Sequence, residues 1–287
     1  MRRRSFLALS GSCLLCGCAG AVHQLPEISP NKLSLARAEV QLAGGRPQRR
    51  PVSDDEVEET LRSATWRILA PASQLCREMD VGVCDWKFRL SSDRSLNARA
   101  VPGGFIIVNR GIVEYAANEE EICLVIAHEI GHQAANHIQS GQRNQVVGAL
   151  IGALVLGAVG ALASQGSTSS AQTVRSTAEL GRDIGAYVGR ISYSKEQERE
   201  ADYLAAAILY RAGVDLDKAR GFLVTMSRAS RHKETGMLDT HPAGPDRIAG
   251  WDQAVQQLRA SNGRLPAREH KGWRSSFARR ARCRAGR

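Results

Sequence analysis

Four ionisable side chains, His128, Glu129, His132 and His137, lie within the otherwise apolar residues 123–137 (CLVIAHEIGHQAANH). The apolar positions Leu124, Ile126, Ala127, Ile130 and Ala134, behind the acids Glu119, Glu120 and Glu121, predict a helix. That helix puts His128 and His132 on one face at i and i+4. Two neutral imidazoles aimed at one point suit a borderline metal such as zinc, and Glu129 can reach the solvent side of that metal as a general base. The pattern is H-E-x-x-H. An ordinary helix with solvated histidines is the competing reading, and the apolar flanks argue against it.

Two histidines leave a catalytic zinc site one protein ligand short. A third His six residues beyond the second would make a metzincin, but Ile138 stands there and His137 is one position early. Residues 192–213 (SYSKEQEREADYLAAAILYRAG) are the better source. They read as a helix in which Glu198, Glu200 and Asp202 precede an apolar face of Leu204, Ala205, Ile208 and Leu209. Glu198 and Asp202 are four apart, so one can bind metal while the other holds a ligand imidazole. A solvated acidic turn is the alternative for these residues alone.

Other elements must position these groups. Ser53 and the acids after it open a helix with apolar spacing at Val57, Leu61, Ile68 and Leu75. Residues 86–90 (WKFRL) alternate like a strand, and residues 104–111 (GFIIVNRG) form a second β-rich run after the turn signal Pro102-Gly103-Gly104. The expected fold is α+β: a mainly helical, zincin-type domain over residues 53–262, with a small sheet beside the active-site helix. Residues 146–163 carry no charge over eighteen positions but are rich in Gly and Ala. A hairpin or lid over residues 144–178 is preferred to a membrane span.

At 287 residues, 43% hydrophobic and 24% charged, the chain has the composition of an ordinary globular protein. Its net charge of +10 looks like a nucleic-acid signature until it is located. Residues 264–287 hold nine Lys or Arg and one acid, a net +8, which leaves the rest near neutral at +2. A basic, disordered tail over residues 263–287 is expected, and no nucleic-acid partner.

The N-terminus reads as an export leader, residues 1–17, with Arg2, Arg3 and Arg4 ahead of an apolar run. Residues 15–18 (LCGC) resemble a bacterial lipobox with Cys18 as the lipidated cysteine, and RRRSFL resembles a twin-arginine signal. The expected location is the periplasmic side of the bacterial envelope, lipid-anchored, with residues 18–52 as a tether. Outside the leader, Cys76 and Cys84 are close enough to pair in an oxidising compartment or to stay free. Cys123 reads as a small core residue.

Four blocks, HEIGHQAANH, EREADYLA, NARAVPGGFIIVNRGIV and THPAGPDR, resemble in order and spacing the zinc peptidase family of the CAAX prenyl proteases, HtpX and Oma, especially its soluble periplasmic and lipoprotein members. The resemblance implies one zinc on His128, His132 and Glu198, with Glu129 as base and Asp202 holding a ligand. It also puts His241 and Arg247 beside the metal as catalytic residues, where either offsets the developing oxyanion or His241 fills the fourth zinc position. Polypeptides are the implied substrates. The strand of Phe105, Ile107 and Asn109 is expected to pair with an extended substrate through its backbone, with packing in the core as its other role. Glu129 would take a proton from water and pass it to the leaving amine. A metal-binding chaperone or adaptor is the alternative, and the presence of Glu129 argues against it.

Overall fold

The computed structural model describes residues 21–80, 82–139, 193–231 and 241–268. Along the chain come α1 (Pro30–Leu42), α2 (Asp54–Met79), β1 (Lys87–Ser91), β2 (Ala98–Val101), β3 (Phe105–Asn109), α3 (Arg110–Tyr115) and α4 (Glu119–Ala134). After residue 193 follow α5 (Lys195–Arg211), α6 (Leu216–Ala219), α7 (Gly221–Arg231) and α8 (Pro245–Ser261). The α+β expectation holds.

Helix starts are fixed by local chemistry. Ser53 and Asn118 accept the third amide of α2 and α4 with their side chains, and Ser194 and Gln197 form a reciprocal capping box on α5. From Glu121 to its end α4 is buried on every face, which marks it as the central helix of the core. It packs against α2 on one side and α5 on the other. Ile68, Leu75, Leu124, Ile126, Leu204, Ile208 and Trp251 are fully buried around it. Gly131 sets the closest approach: a Cβ there would come within 3.0 Å of the Ala201 carbonyl oxygen on α5. Cys76 and Cys84 form a disulfide that ties the end of α2 to the approach to β1, and Cys123 is a buried free thiol.

The sheet has three strands in the order β1-β3-β2, with β1 parallel and β2 antiparallel to β3. Gly103 and Gly104, at φ +82° and +79°, make the turn between β2 and β3. One expectation fails here. The strand of Phe105, Ile107 and Asn109 is central, paired on both edges, so it has no free backbone for a substrate.

The tether also needs correcting. Ala36 and Val40 of α1 are buried, and α1 packs on α8. Arg220 bridges Glu39 of α1 and Asp252 of α8. The C-terminal boundary moves too, since Leu265 packs on the core and the Ala267 carbonyl accepts the Gln24 amide. The folded unit therefore includes residues 21–52 and 263–268. No helix of the described residues is long and apolar enough to cross a membrane. The leader with Cys18, the lid at 144–178 and the tail from 269 lie outside the described residues.

Candidate metal centre

The one-turn spacing on α4 brings His128 and His132 side by side, their Nε2 atoms 3.0 Å apart. Close packing at Gly131 carries α5 against this face. Glu198 Oε1 lies 3.3 Å from Nε2 of His132, and its Oε2 lies 3.5 Å from Nε2 of His128. His241, just ahead of α8, completes the group: its Nδ1 is 3.3 Å from Nε2 of His128 and 2.9 Å from Glu198 Oε1. One ligand atom from each of these four residues lies within 4.8 Å of all the others, and all four side chains are buried.

The spacing fits a metal. Four ligands about 2.0–2.1 Å from a tetrahedral zinc stand about 3.3 Å apart, and the nearest pairs here are 2.9 to 3.5 Å apart. Imidazole lone pairs at this distance repel unless a proton or cation lies between them. Glu198 Oε2 accepts no hydrogen bond from the described residues, although Arg247 Nη1 is 3.1 Å away without the alignment of one. Three imidazoles and a carboxylate around such an atom form a donor set for a borderline metal.

The flanking groups are buried as well. Glu129 takes the Ala100 amide on Oε2 at 2.7 Å, while its Oε1 has no hydrogen-bond partner among the described residues and lies 3.6 Å from Nε2 of His241. Asp202 stands 2.9 Å from Nδ1 of His128, and Arg247 donates to both Asp202 oxygens at 2.8 and 2.6 Å. Tyr193 stacks on His132 with ring centroids 3.7 Å apart.

Charge is redistributed to match. Burial and the Arg247 guanidinium oppose a proton on His128, but Asp202 and Glu198 outweigh them and carry it up to about 9. Burial holds His132 well below the usual histidine value. Against the cost of burial, His241 and Arg247 keep Glu198 well below the carboxylate range. Burial likewise opposes ionisation of Glu200, yet bonds from His137 and His23 draw it down to about 2.

The structure thus brings together His128, Glu129, His132, Glu198, Asp202, His241 and Arg247. It does not bring Phe105, Ile107 and Asn109 to the cluster as an open edge; the Asn109 side-chain amide instead donates to the Ser95 hydroxyl at 2.9 Å. Sequence reasoning missed the Ala100 amide, Tyr193 and the roles of His137 and Glu200. The available signal was three acids, Glu198, Glu200 and Asp202, at the start of a helix with a wholly apolar face, where each needs a buried partner.

The family model described as peptidase family M48 matches residues 65–255. This chain belongs to peptidase family M48. Among M48 relatives, the putative beta-barrel assembly-enhancing protease of Vibrio cholerae is 29% identical over 178 residues, covering 59% of this chain and 34% of that protein. The beta-barrel assembly-enhancing protease of Escherichia coli K12 is 29% identical over 174 residues, covering 60% and 35%. The mitochondrial metalloendopeptidase OMA1 of Saccharomyces cerevisiae is 26% identical over 171 residues, covering 57% and 45%. The chain spans about a third of the length of the bacterial relatives it matches. The match places the chain in a family of peptidases, and its buried His and Glu group is able to hold a metal ion.

Proposed function

We propose that this M48 chain is a zinc-dependent endopeptidase of the bacterial envelope, with one zinc per chain, acting on envelope polypeptides. The observation that carries the reading is the buried cluster of His128, His132, Glu198 and His241, whose ligand atoms lie within 4.8 Å of one another beside the free oxygen of Glu129. Zinc, when bound, would supply an acidified water and a Lewis-acidic contact for a peptide carbonyl. Glu129 accepts a proton on Oε1 and returns it to the leaving amine, while the Ala100 amide on Oε2 fixes its orientation. Asp202 holds the proton of His128 on Nδ1, which leaves Nε2 for the metal. Arg247, committed to Asp202, keeps that carboxylate in place rather than meeting the substrate.

With a metal held by His128, His132 and Glu198, His241 would offer a fourth ligand, and substrate entry would then require it to move. Its departure leaves an imidazole near the developing oxyanion. An extended substrate lies along β2, whose second edge has no strand partner among the described residues. Residues 1–17 act as the export leader and Cys18 as the lipid anchor. The Cys76–Cys84 disulfide supports an oxidising compartment. The names of the bacterial relatives support an envelope substrate.

Zinc content of purified His128→Ala, His132→Ala and Glu198→Ala tests the ligand set. Each should lose metal relative to one zinc in the wild type. Full occupancy in Glu198→Ala would refute the assignment.

A further inference from the structure

Behind the metal cluster runs a second set of buried polar groups. Nδ1 of His132 lies 3.0 Å from Nδ1 of His137, and Nε2 of His137 lies 3.0 Å from Oε2 of Glu200. Glu200 also accepts the amide of Val22 at 2.7 Å, the amide of His23 at 2.9 Å and Nδ1 of His23 at 2.7 Å. His23, His137 and Glu200 are all buried. They come from three parts of the chain: the N-terminal segment, the residues just past the turn that ends α4, and α5. The N-terminal segment is itself seated, because Gln24 donates to the Ala267 carbonyl at 2.9 Å.

Proton positions give this chain of bonds a direction. A ligand nitrogen must offer a lone pair, so with Nε2 of His132 facing the cluster its one proton sits on Nδ1. That N–H donates to Nδ1 of His137, which leaves the His137 proton on Nε2, where it donates to Glu200. Each neutral imidazole then uses its single donor and single acceptor. The opposite direction needs a protonated Glu200 and ends with a proton on Nε2 of His132, which blocks metal. Three further N–H donors hold Glu200 as an acceptor and select the first arrangement.

We propose that His137 and Glu200 are positioning residues for the metal site, and that Val22 and His23 complete them as a strap that fixes the Glu200 carboxylate. The inference rests on the zinc reading of His132. His128 has its carboxylate, Asp202, in direct contact; His132 reaches its own through His137. The strap links the segment just beyond the export leader to the geometry of a ligand imidazole.

The test uses the full chain as wild type, His137→Ala, Glu200→Gln, their double variant and His23→Ala. Zinc Kd by competition with a chromogenic chelator, the visible spectrum of the cobalt(II)-loaded protein and the Tm of the metal-free protein are measured on each. His137→Ala and Glu200→Gln should each weaken zinc by about 10–100-fold and alter the cobalt bands. His23→Ala should act in the same direction by a smaller factor. The double variant should be no weaker than His137→Ala alone, because Glu200 acts through His137.

Wild-type Kd and cobalt bands in a folded His137→Ala, or additive losses in the double variant, overturn the proposal. Should His137→Ala fail to fold, Glu200→Gln, which keeps size and an acceptor, decides by the same readouts. A wild type that binds neither metal would sink the zinc reading itself, whereas metal binding indifferent to these variants sinks only the strap.

Discussion

The Asp202 carboxylate lies 2.9 Å from Nδ1 of His128, and the same group takes both bonds of the Arg247 fork. An imidazole, a carboxylate and a guanidinium thus form one buried unit. Asp202→Asn keeps the shape but cannot accept from both His128 and Arg247 as a charge. Zinc affinity should fall by about 10–100-fold, read by chelator competition. Unchanged affinity would remove Asp202 from the metal site.

Much of this site was legible because its spacing is local. The pair His128 and His132, the base Glu129, and the helical phase of Glu198 and Asp202 follow from the 3.6-residue period. What was not legible depends on distant pairing. His137 and Glu200 meet across 63 positions, and the place of β3 in the middle of the sheet needs two partners from outside its own run. Helix α1 escaped notice because only Ala36 and Val40 are buried along it. Its stability comes from packing on α8 and the Glu39–Arg220 pair rather than from its own pattern.

Removing the fourth imidazole should open the site. His241→Ala retains three ligands and should hold wild-type zinc, while hydrolysis of an unfolded protein rises. A fall in hydrolysis at full zinc occupancy would assign His241 to the oxyanion instead.

The anchor can be read by fractionation. Cys18→Ala should shift the protein from membranes to a soluble periplasmic fraction. Retention in the membrane would point to residues 146–163 as an anchor.

Glu121, three residues into α4, is raised by burial from 4.5 to about 7 although it accepts the Ala117 amide. Its proton is held more tightly in the folded than in the unfolded chain, so the protonated group's contribution is complete below about pH 4.5. That contribution is lost as pH rises through about 7, a difference of at most about 3 kcal/mol. Glu121→Gln keeps an acceptor for Ala117 without ionising. Its Tm should exceed that of the wild type at pH 8 and converge with it near pH 4. Parallel Tm profiles across this range would show that Glu121 does not titrate in the fold.

In the proposed reaction the proton passes through Glu129. Casein hydrolysis should be compared between chains with and without Glu129→Gln, in the wild-type and His241→Ala backgrounds, all at one zinc per chain. The account predicts cleavage that Glu129→Gln lowers by roughly 10²–10⁴-fold with zinc retained. Equal cleavage with Gln in place, or none in either background with Glu129 intact, would contradict it.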